Sequence, residues 1–271
     1  MRISFCPCHG AQFAAPISSD GSHGPVSGGA IDPSLKLDIA IGSRICATED
    51  VFDAYGHLSV RHPHAPDRFL MTRSMPPALA TSDDVVELDL ESNGCAGNTK
   101  PLFLERFIHG EIYKTRPDVN AIVHSHSLSV VPFTVVEEPM RAIFHTAAHV
   151  AAGAPVFDIE DEFGETDMLI SDRLKGASLA RTLGDKSICL MRGHGSVAVG
   201  PSLQHAVMRA VYTEVNAKLQ LNAKLLGGRM KPLSAREGEL ADAVNLAGVG
   251  RPWELWKAQT LRAMRAEGVL T

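Results

Sequence analysis

The sequence predicts an α/β or α+β protein in which one β-sheet is covered by helices. Short apolar runs bounded by turn residues, which are typical of strands, alternate with longer segments whose apolar residues recur at helical spacing. The 271 residues are 45% hydrophobic and 21% charged, as in globular proteins with a sizeable core. We expect a flexible arm rich in Gly, Ser and Pro at residues 1–35 and a single domain at residues 36–271, because no second linker of that kind follows.

The individual strands and helices are predicted from the spacing of apolar residues and from the Pro and Gly residues that begin or end an element. The predicted strands cover residues 56–61, 68–72, 85–90, 121–126, 186–191 and 196–199. The predicted helices cover residues 37–48, 101–115 and 202–226, with a further helical segment around Trp253 and Trp256. Pro101 suits a helix start, Arg116-Pro117 lies just past the end of that helix, and Gly227 can end the long one.

Charge and composition exclude several classes of function. The formal net charge is -5 without a basic cluster, which argues against a nucleic-acid partner. No run approaches 18 apolar residues, so we expect no membrane span, and the first residues lack the apolar core of a signal peptide. The five cysteines are odd in number and widely spaced, which predicts reduced thiols and a cytoplasmic protein.

Two histidines stand in the otherwise apolar segment AIVHSHSLSVV, residues 121–131. Residues i and i+2 of a strand point to the same face, so His124 and His126 project from one side about 7 Å apart. Buried polar groups cost stability unless something satisfies them, and imidazole nitrogen is a ligand for transition metals. The spacing therefore predicts a metal site, with hydrogen-bonded core histidines as the alternative.

A third histidine and one glutamate are further candidates. His194 lies between two glycines directly after the apolar strand ICLM, where the backbone can approach a site closely. Glu105 lies in the helix PLFLERFIHGEIY, and apolar surroundings of this kind raise the pKa of a carboxyl group, which suits proton transfer near neutral pH. The alternatives are an ordinary loop histidine and a surface glutamate paired with Arg106 or Lys100, and spacing alone does not separate them.

Three motifs follow one another along the chain: GHLSVR at 56–61, ERFIHGEIYKTRPDVNAIVHSHS at 105–127 and MRGHGSVAVG at 191–200. In this order they resemble the first loop, the central block and the third-ligand block of the class II aldolase/adducin family, over roughly residues 37–228. The resemblance implies one divalent metal ion per subunit (Zn, Mn, Co or Fe) held by His124, His126 and His194. It also implies that Glu105 is the acid/base and a fourth ligand in the empty site.

The family resemblance has consequences for the fold and the assembly as well. It implies a class II aldolase-like domain with a mainly antiparallel sheet and helices on both faces. It further implies a homotetramer with sites at subunit interfaces, where Trp253 and Trp256 could cover a neighbour's pocket.

The sequence departs from the sugar-phosphate aldolases of this family at the positions that hold phosphate. Those enzymes have an Asn in the first loop, Ser/Thr-Gly in the second and Ser-Ser before the Glu. This sequence has His57, Arg73-Ser74-Met75 and Phe103-Leu104 at the corresponding places. Because phosphate needs N–H and hydroxyl groups around it, we do not expect a phosphorylated substrate.

The residues expected to bind substrate are His57, Ser59, Arg61, Arg73 and Ser74. Arginine forks match carboxylates, and Phe103 could pack on a ring. Arg61 has an alternative role as a structural arginine that binds Asp67 or nearby backbone. Together these features most resemble the branch of the family that decarboxylates hydroxylated aromatic or pyridine dicarboxylates, with a small aromatic carboxylate as the expected substrate.

The resemblance also implies a part for His145. His145 and His149 are four residues apart and would share a helical face. We expect His145 to support the site or donate a proton, with core packing as the alternative, and His149 to be structural. His62, His64, His109 and His205 are expected to face solvent or to cap helices.

Four functions remain open from the sequence. The leading one is a metal-dependent lyase that decarboxylates a hydroxylated aromatic dicarboxylate. The others are an aldolase or epimerase of a non-phosphorylated hydroxy-keto acid, a non-haem iron oxygenase, and an adducin-like binding module without metal. All four expected ligand residues are present, which argues against the binding module.

Overall fold

The computed structural model describes residues 24–270, so most of the predicted arm lies outside the described residues. Its boundary needs correction, because the first helix already begins at Pro33. Just before it, Ser27 and the backbone of Gly28 donate hydrogen bonds to the Glu87 carboxylate, and Arg68 binds the carbonyl oxygen of Val26. The end of the predicted arm is therefore tied to the edge of the sheet.

A single seven-stranded sheet forms the centre of the chain. The strands are β1 (His57–Arg61), β2 (Arg68–Thr72), β3 (Val85–Asp89), β4 (Ala121–Ser125), β5 (Val156–Phe157), β6 (Ile188–Met191) and β7 (Gly195–Gly200). Their order is β3-β2-β1-β4-β7-β6-β5. Every pair is antiparallel except β5 with β6. The expected fold class, a mainly antiparallel sheet in a single domain, is confirmed.

Helices cover both faces of this sheet. They are α1 (Pro33–Thr48), α2 (Phe107–Thr115), α3 (Glu160–Phe163), α4 (Arg173–Leu183), α5 (Leu203–Leu226), α6 (Ala235–Ala247) and α7 (Gly250–Ala266). Side-chain caps explain several of the starts, since Asp172 and Ser202 each accept a hydrogen bond from a backbone N–H of the first turn.

The alternation of side chains along the strands divides the core in two. On one face, Leu58 and Val123 pack with α1, α5 and α7. On the other face, Ile122 and Val197 pack with α2 and α4. His57 and His124 differ by an odd number of positions from Leu58 and Val123, so they project toward α2. The alternation of side chains thus places the candidate site on the face of the sheet that α2 covers.

Several elements differ from the sequence-based expectation. The helix expected over 101–115 is a short 3-10 turn at Leu104–Arg106 followed by α2. The segment His145–Ala152 is a 3-10 helix with a kink at Ala147, so His145 is exposed while His149 is buried. Strand β5 and helices α3 and α4 were not predicted. None of the helices within residues 24–270 has both the length and the apolar character needed to cross a membrane.

Candidate metal centre

Strand register brings the candidate histidines together at one end of the sheet. His124 of β4 lies opposite His57 of β1 on one side and opposite Val197 of β7 on the other. Ser125 pairs with Ser196, so His126 emerges beside Gly195, next to the turn that carries His194. Three imidazoles that are far apart in sequence thus meet because β4 and β7 are neighbours.

Gly195 is required by this close approach of strands. A Cβ atom built on Gly195 would lie 1.9 Å from the carbonyl oxygen of Ser125 and 3.0 Å from the Cα atom of His126. In the same turn, Gly193 adopts a φ of 61°, and its N–H donates to Thr134 Oγ1. Glycine is therefore required on both sides of His194 for different reasons. Gly195 lacks space for a side chain, and Gly193 adopts a left-handed backbone conformation.

Glu105 reaches the histidines from a kink and not from a regular helix. Its φ and ψ angles are -89° and 18°, between the 3-10 turn and α2. Its Oε1 atom accepts a hydrogen bond of 3.0 Å from the backbone N–H of Ile170. Oε2 is left facing the rings, 3.4 Å from Nε2 of both His124 and His194. The kink aims the carboxylate, and the Ile170 N–H holds it there.

The resulting cluster consists of Glu105, His124, His126 and His194, whose ligand atoms all lie within 4.8 Å of one another. Nδ1 of His124 lies 3.2 Å from the carbonyl oxygen of Ser196, and Nδ1 of His194 lies 3.1 Å from that of Met168. An imidazole that donates Nδ1–H to a carbonyl presents its Nε2 lone pair on the other side. Both rings are thus oriented with their lone pairs toward the cluster centre.

The donor set fits a divalent metal ion. The Nε2 atom of His124 is completely buried and has no hydrogen-bond partner within residues 24–270, which is costly unless something binds it. Nε2 of His126 lies 2.9 Å from Nε2 of His194, so these two nitrogens share one hydrogen bond unless an ion between the rings replaces it. Three imidazoles and one carboxylate are a common ligand set for Zn, Fe, Mn or Co, and they do not by themselves choose among these ions.

The charges within the cluster change the pKa of each member. Burial alone would raise the pKa of Glu105, but the His124 and His194 rings, each 3.4 Å from Oε2, hold it well below its ordinary value. The expectation of a raised pKa for Glu105 is therefore wrong, because imidazoles surround the carboxylate along with apolar side chains. Burial, together with the neighbouring imidazoles, lowers the pKa of His126 to about 4. Burial also acts to lower the pKa of His194, but the Glu105 carboxylate outweighs it and raises that pKa.

His57 adjoins the cluster and is the end of a buried chain of hydrogen bonds. Its ring centroid is 5.0 Å from that of His124 and 4.5 Å from that of Phe103. Nδ1 of His57 lies 2.7 Å from Nε2 of His109, whose Nδ1 lies 2.6 Å from the Ser59 hydroxyl. Ser59 in turn lies 2.8 Å from the Tyr113 hydroxyl. We call these four residues the His57 relay.

The relay corrects two sequence-based expectations. Ser59 is fully buried and both its hydrogen bonds are made within the relay, so it does not contact substrate. His109 was expected at the surface or as a cap, yet it is completely buried, and burial lowers its pKa to about 3. The available signal was the spacing of His109 and Tyr113, which are i and i+4 on α2 and so share a face.

The two arginines expected to bind substrate have different surroundings. The Arg61 guanidinium donates to the carbonyl oxygens of Val119, Pro66, Tyr113 and Arg116, which makes it a structural residue and corrects the substrate-binding expectation. Arg73 uses Nε in an ion pair with Asp84 at 2.7 Å, and its side chain remains 36% exposed.

Arg73 and Ser74 also lie at the cluster end of the sheet. Ser59 pairs with Met71, so continuing that register by two residues brings Arg73 opposite His57, about 10 Å of sheet away from His124. The backbone N–H of Ser74 donates to the carbonyl oxygen of Pro101, which precedes Phe103 and Glu105 in the chain. Arg73, unlike Arg61, is placed where a guanidinium can point toward the site.

His145 and the tryptophans lie away from the cluster. The His145 side chain is exposed, its ring packs edge-on against Phe144, and its carbonyl oxygen accepts from Asn245. The structure thus does not bring His145 to the histidine and glutamate cluster of its own chain. Trp253 and Trp256 are each only 7% exposed and belong to the core formed with α1 and α5.

Comparison with known proteins agrees with this geometry. The model of the class II aldolase and adducin N-terminal domain matches residues 39–221. The chain belongs to this family. It is 36% identical to decarboxylase tropJ of Talaromyces stipitatus over 238 residues, which cover 79% of this chain and 90% of the relative. It is 27% identical to the 3,4-dihydroxyphthalate decarboxylase of Arthrobacter keyseri over 245 residues, with coverages of 84% and 93%.

A solved structure supports the fold in the same way. L-fuculose 1-phosphate aldolase from Glaciozyma antarctica PI12 superposes with a TM-score of 0.71 at 22% identity, covering 87% of this chain and 91% of that one. At this identity the likeness concerns the fold alone. The two relatives named above are decarboxylases, and the matching family model is that of the class II aldolases, so the expectation of a carbon–carbon lyase is confirmed at that level.

Proposed function

We propose that this protein is a metal-dependent decarboxylase of a hydroxylated aromatic dicarboxylate. The observation that carries the proposal is the convergence of three imidazoles and the Glu105 carboxylate within 4.8 Å, with a buried His124 nitrogen that no group within residues 24–270 satisfies. The names of the two decarboxylase relatives support the reaction type, and the second of them names a dihydroxyphthalate as substrate.

The metal would be held by His124, His126 and His194, with Glu105 close enough to join them. When bound, a divalent ion supplies Lewis-acid stabilisation of negative charge on the substrate oxygens. Nδ1 of His124 and His194 binds backbone carbonyl oxygens, so neither ring needs to reorient on binding.

Glu105 is the proposed proton carrier. Oε1 is occupied by the Ile170 N–H, so Oε2 is the atom that exchanges a proton with the substrate. In our proposal Oε2 takes the proton of the ring hydroxyl. As the bond from the ring carbon to the carboxylate breaks, carbon dioxide leaves, the electron pair stays on the ring carbon, and Glu105 returns the proton to that carbon. The low pKa of Glu105 means that it begins this cycle as a carboxylate.

The surrounding side chains suit an aromatic acid better than a sugar phosphate. Phe103 lies beside His57 and offers an apolar face for a ring. Arg73 has its terminal nitrogens available for the second carboxylate of the substrate, because its ion pair with Asp84 uses only Nε. Ser74, which follows Arg73, is the proposed hydroxyl donor to the same carboxylate.

The assembly and location are part of the same proposal. We infer a homotetramer, in which exposed side chains such as His145 could face a neighbouring subunit, and a cytoplasmic enzyme. The supporting observation for the location is that Cys46, Cys95 and Cys189 are buried and unpaired, as in proteins kept reduced.

The test is an anaerobic assay for carbon dioxide release by protein loaded separately with Mn, Zn, Co and Fe. The substrates are a panel of ortho-hydroxy aromatic dicarboxylates, and the control variant is Glu105→Gln, which keeps the shape of the side chain and removes its charge. We expect release with at least one metal and one substrate, reduced about 100- to 10,000-fold in the variant.

Absence of carbon dioxide release from every substrate, with fully metal-loaded protein, would overturn the decarboxylase proposal. The same samples would then be assayed for cleavage of hydroxy-keto acids, which would identify an aldolase. Oxygen uptake with iron, absent with the other metals, would identify an oxygenase.

A further inference from the structure

The His57 relay contains four polar side chains that the proposed reaction does not use directly. His109 and Ser59 are completely buried, Tyr113 is 1% exposed and His57 is 4% exposed. The two rings are hydrogen-bonded to each other, and within residues 24–270 neither is hydrogen-bonded to a carboxylate. Both rings are therefore neutral imidazoles, each with one N–H donor and one acceptor nitrogen.

Only one arrangement gives an acceptor to every hydrogen inside the relay. It leaves over the Nε2–H of His57, and that nitrogen is not among the fully buried atoms without a partner. If the Tyr113 hydroxyl donates to Ser59 and Ser59 donates to Nδ1 of His109, then His109 must carry its hydrogen on Nε2. That hydrogen is donated to Nδ1 of His57. The hydrogen of His57 is then on Nε2, at the open end of the chain.

The reverse arrangement leaves a buried hydrogen without an acceptor. If His57 donated from Nδ1, the chain would run through His109 and Ser59 to the Tyr113 oxygen. The Tyr113 hydrogen would then have no acceptor, because Ser59 is the only partner of that hydroxyl within residues 24–270. If Tyr113 and His109 both donated to Ser59, the hydroxyl hydrogen of Ser59 would have no acceptor instead. Buried unsatisfied hydroxyl groups are disfavoured, so the first arrangement prevails.

The position of His57 directs this donor at the site. Nδ1 is occupied by His109, and Phe103 and His124 lie within about 5 Å of the ring. Nε2 has no hydrogen-bond partner within residues 24–270, and the ring adjoins the metal ligand His124. A neutral N–H group beside the metal can bind an oxygen that only accepts, and it is far too weak an acid to deliver a proton.

We infer that Ser59 and His109, with Tyr113 donating to Ser59 behind them, are positioning residues that hold His57 as the Nε2–H tautomer. In this form His57 donates a hydrogen bond to a carboxylate oxygen of the substrate. The identification of the bound group as a carboxylate rests on the proposed function, whereas the tautomer does not. The relay thus gives Ser59 an indirect role, through His109 and then His57, and it leaves proton transfer to Glu105.

The tautomer is measured by nitrogen NMR of zinc-loaded protein labelled with ¹⁵N-histidine, since the two ring nitrogens differ strongly in shift when one carries the hydrogen. The His57 signals are assigned by their loss in His57→Gln. We expect the Nε2–H pattern for His57 without any substrate. The Nδ1–H pattern would overturn the inference, and this result is independent of whether the protein proves to be a decarboxylase.

Two variants separate positioning from general damage. Ser59→Ala removes the donor to His109, so the two tautomers of His57 become mixed, and binding of salicylate, used as a non-reacting hydroxy-aromatic carboxylate, weakens about 10-fold at unchanged zinc content. Tyr113→Phe also removes a buried hydrogen bond, but Ser59 can still donate to His109, so the Nε2–H pattern persists. An unchanged His57 pattern in Ser59→Ala, or a mixed pattern in Tyr113→Phe, would contradict the relay.

Discussion

His109 and His124 are both completely buried on the same side of the sheet, yet their ring nitrogens have opposite surroundings. Both nitrogens of His109 are hydrogen-bonded, to His57 and to Ser59. Nε2 of His124 has no hydrogen-bond partner within residues 24–270 and lies among other lone pairs. Burial is therefore not what distinguishes a structural histidine from a ligand. The distinction is whether the protein itself uses both nitrogens.

The two arginines that the sequence predicts to bind substrate also differ in whether the protein itself uses their nitrogens. The Arg61 guanidinium has all three nitrogens engaged by backbone carbonyl oxygens. Arg73 has one nitrogen in an ion pair with Asp84. A cation whose donors are used is part of the fold, and one with free donors is available for a ligand.

The largest expected effects come from replacing one histidine of each kind, a proposed ligand and a structural residue. We expect His194→Ala to lose bound metal and at least about 1,000-fold of activity, because a metal ion contributes several kcal/mol of transition-state stabilisation. His109→Gln should destabilise the fold and keep one metal per chain. Metal content by atomic absorption and activity are measured together. Retention of metal by His194→Ala, or its loss from well-folded His109→Gln, would show that the division is wrong.

The arginine comparison predicts a smaller effect on substrate binding. We expect Arg73→Gln to raise KM by about 10- to 100-fold, because a charge-assisted hydrogen bond to a carboxylate contributes about 1.5–3 kcal/mol. The matched control is Arg61→Gln, which should lower the free energy of unfolding and leave KM nearly unchanged. Steady-state kinetics and denaturant unfolding of both variants measure the two effects. Equal KM values for Arg73→Gln and the wild type would remove Arg73 from the site.

Much of the site was predictable because its spacing is short or its context is distinctive. His124 and His126 share a face through strand periodicity, and His194 stands between glycines that each have a physical reason. Glu105 was predicted on a helix, but its placement depends on a kink and on the distant Ile170 N–H, which no local pattern reveals.

Other features depended on partners that are remote in sequence. Ser59 could be interpreted as a substrate ligand because nothing near it in sequence shows that Tyr113 and His109 occupy its hydroxyl. The shared face expected for His145 and His149 assumed an α-helix, whereas the segment is a kinked 3-10 helix with a different periodicity. Strand β5 has only two residues, too few for any alternation to be detected.

The smallest expected effect concerns His149, a buried histidine outside the candidate metal cluster. His149 donates to or accepts from Thr213, and burial together with the nearby Arg209 lowers its pKa to about 3 from an ordinary value of 6.5. The unfolded chain therefore binds more protons between pH 6.5 and 3, so His149 makes stability fall as the pH falls through that window. The slope is up to about 1.4 kcal/mol per pH unit.

The variant His149→Gln tests this contribution against the histidines that remain. We expect its free energy of unfolding to depend less steeply on pH between 6.5 and 3 than that of the wild type, as measured by urea titrations of metal-free protein at several pH values. Parallel curves would mean that His149 is protonated in the folded chain or accessible to water.

The anchoring of Glu105 by the Ile170 N–H has a consequence for how the chain matures. The imidazoles come from adjacent strands, whereas the carboxylate is held only after the segments around residues 105 and 170 have docked on each other. A half-folded chain can therefore present the imidazoles and still lack the full donor set, so tight uptake of the proposed ion would be a late event. An ion that binds only the finished chain also stabilises it, by about 2.7 kcal/mol at a hundred times Kd. Metal supply would then act as a checkpoint on folding, sparing completed molecules from degradation while incomplete ones remain vulnerable.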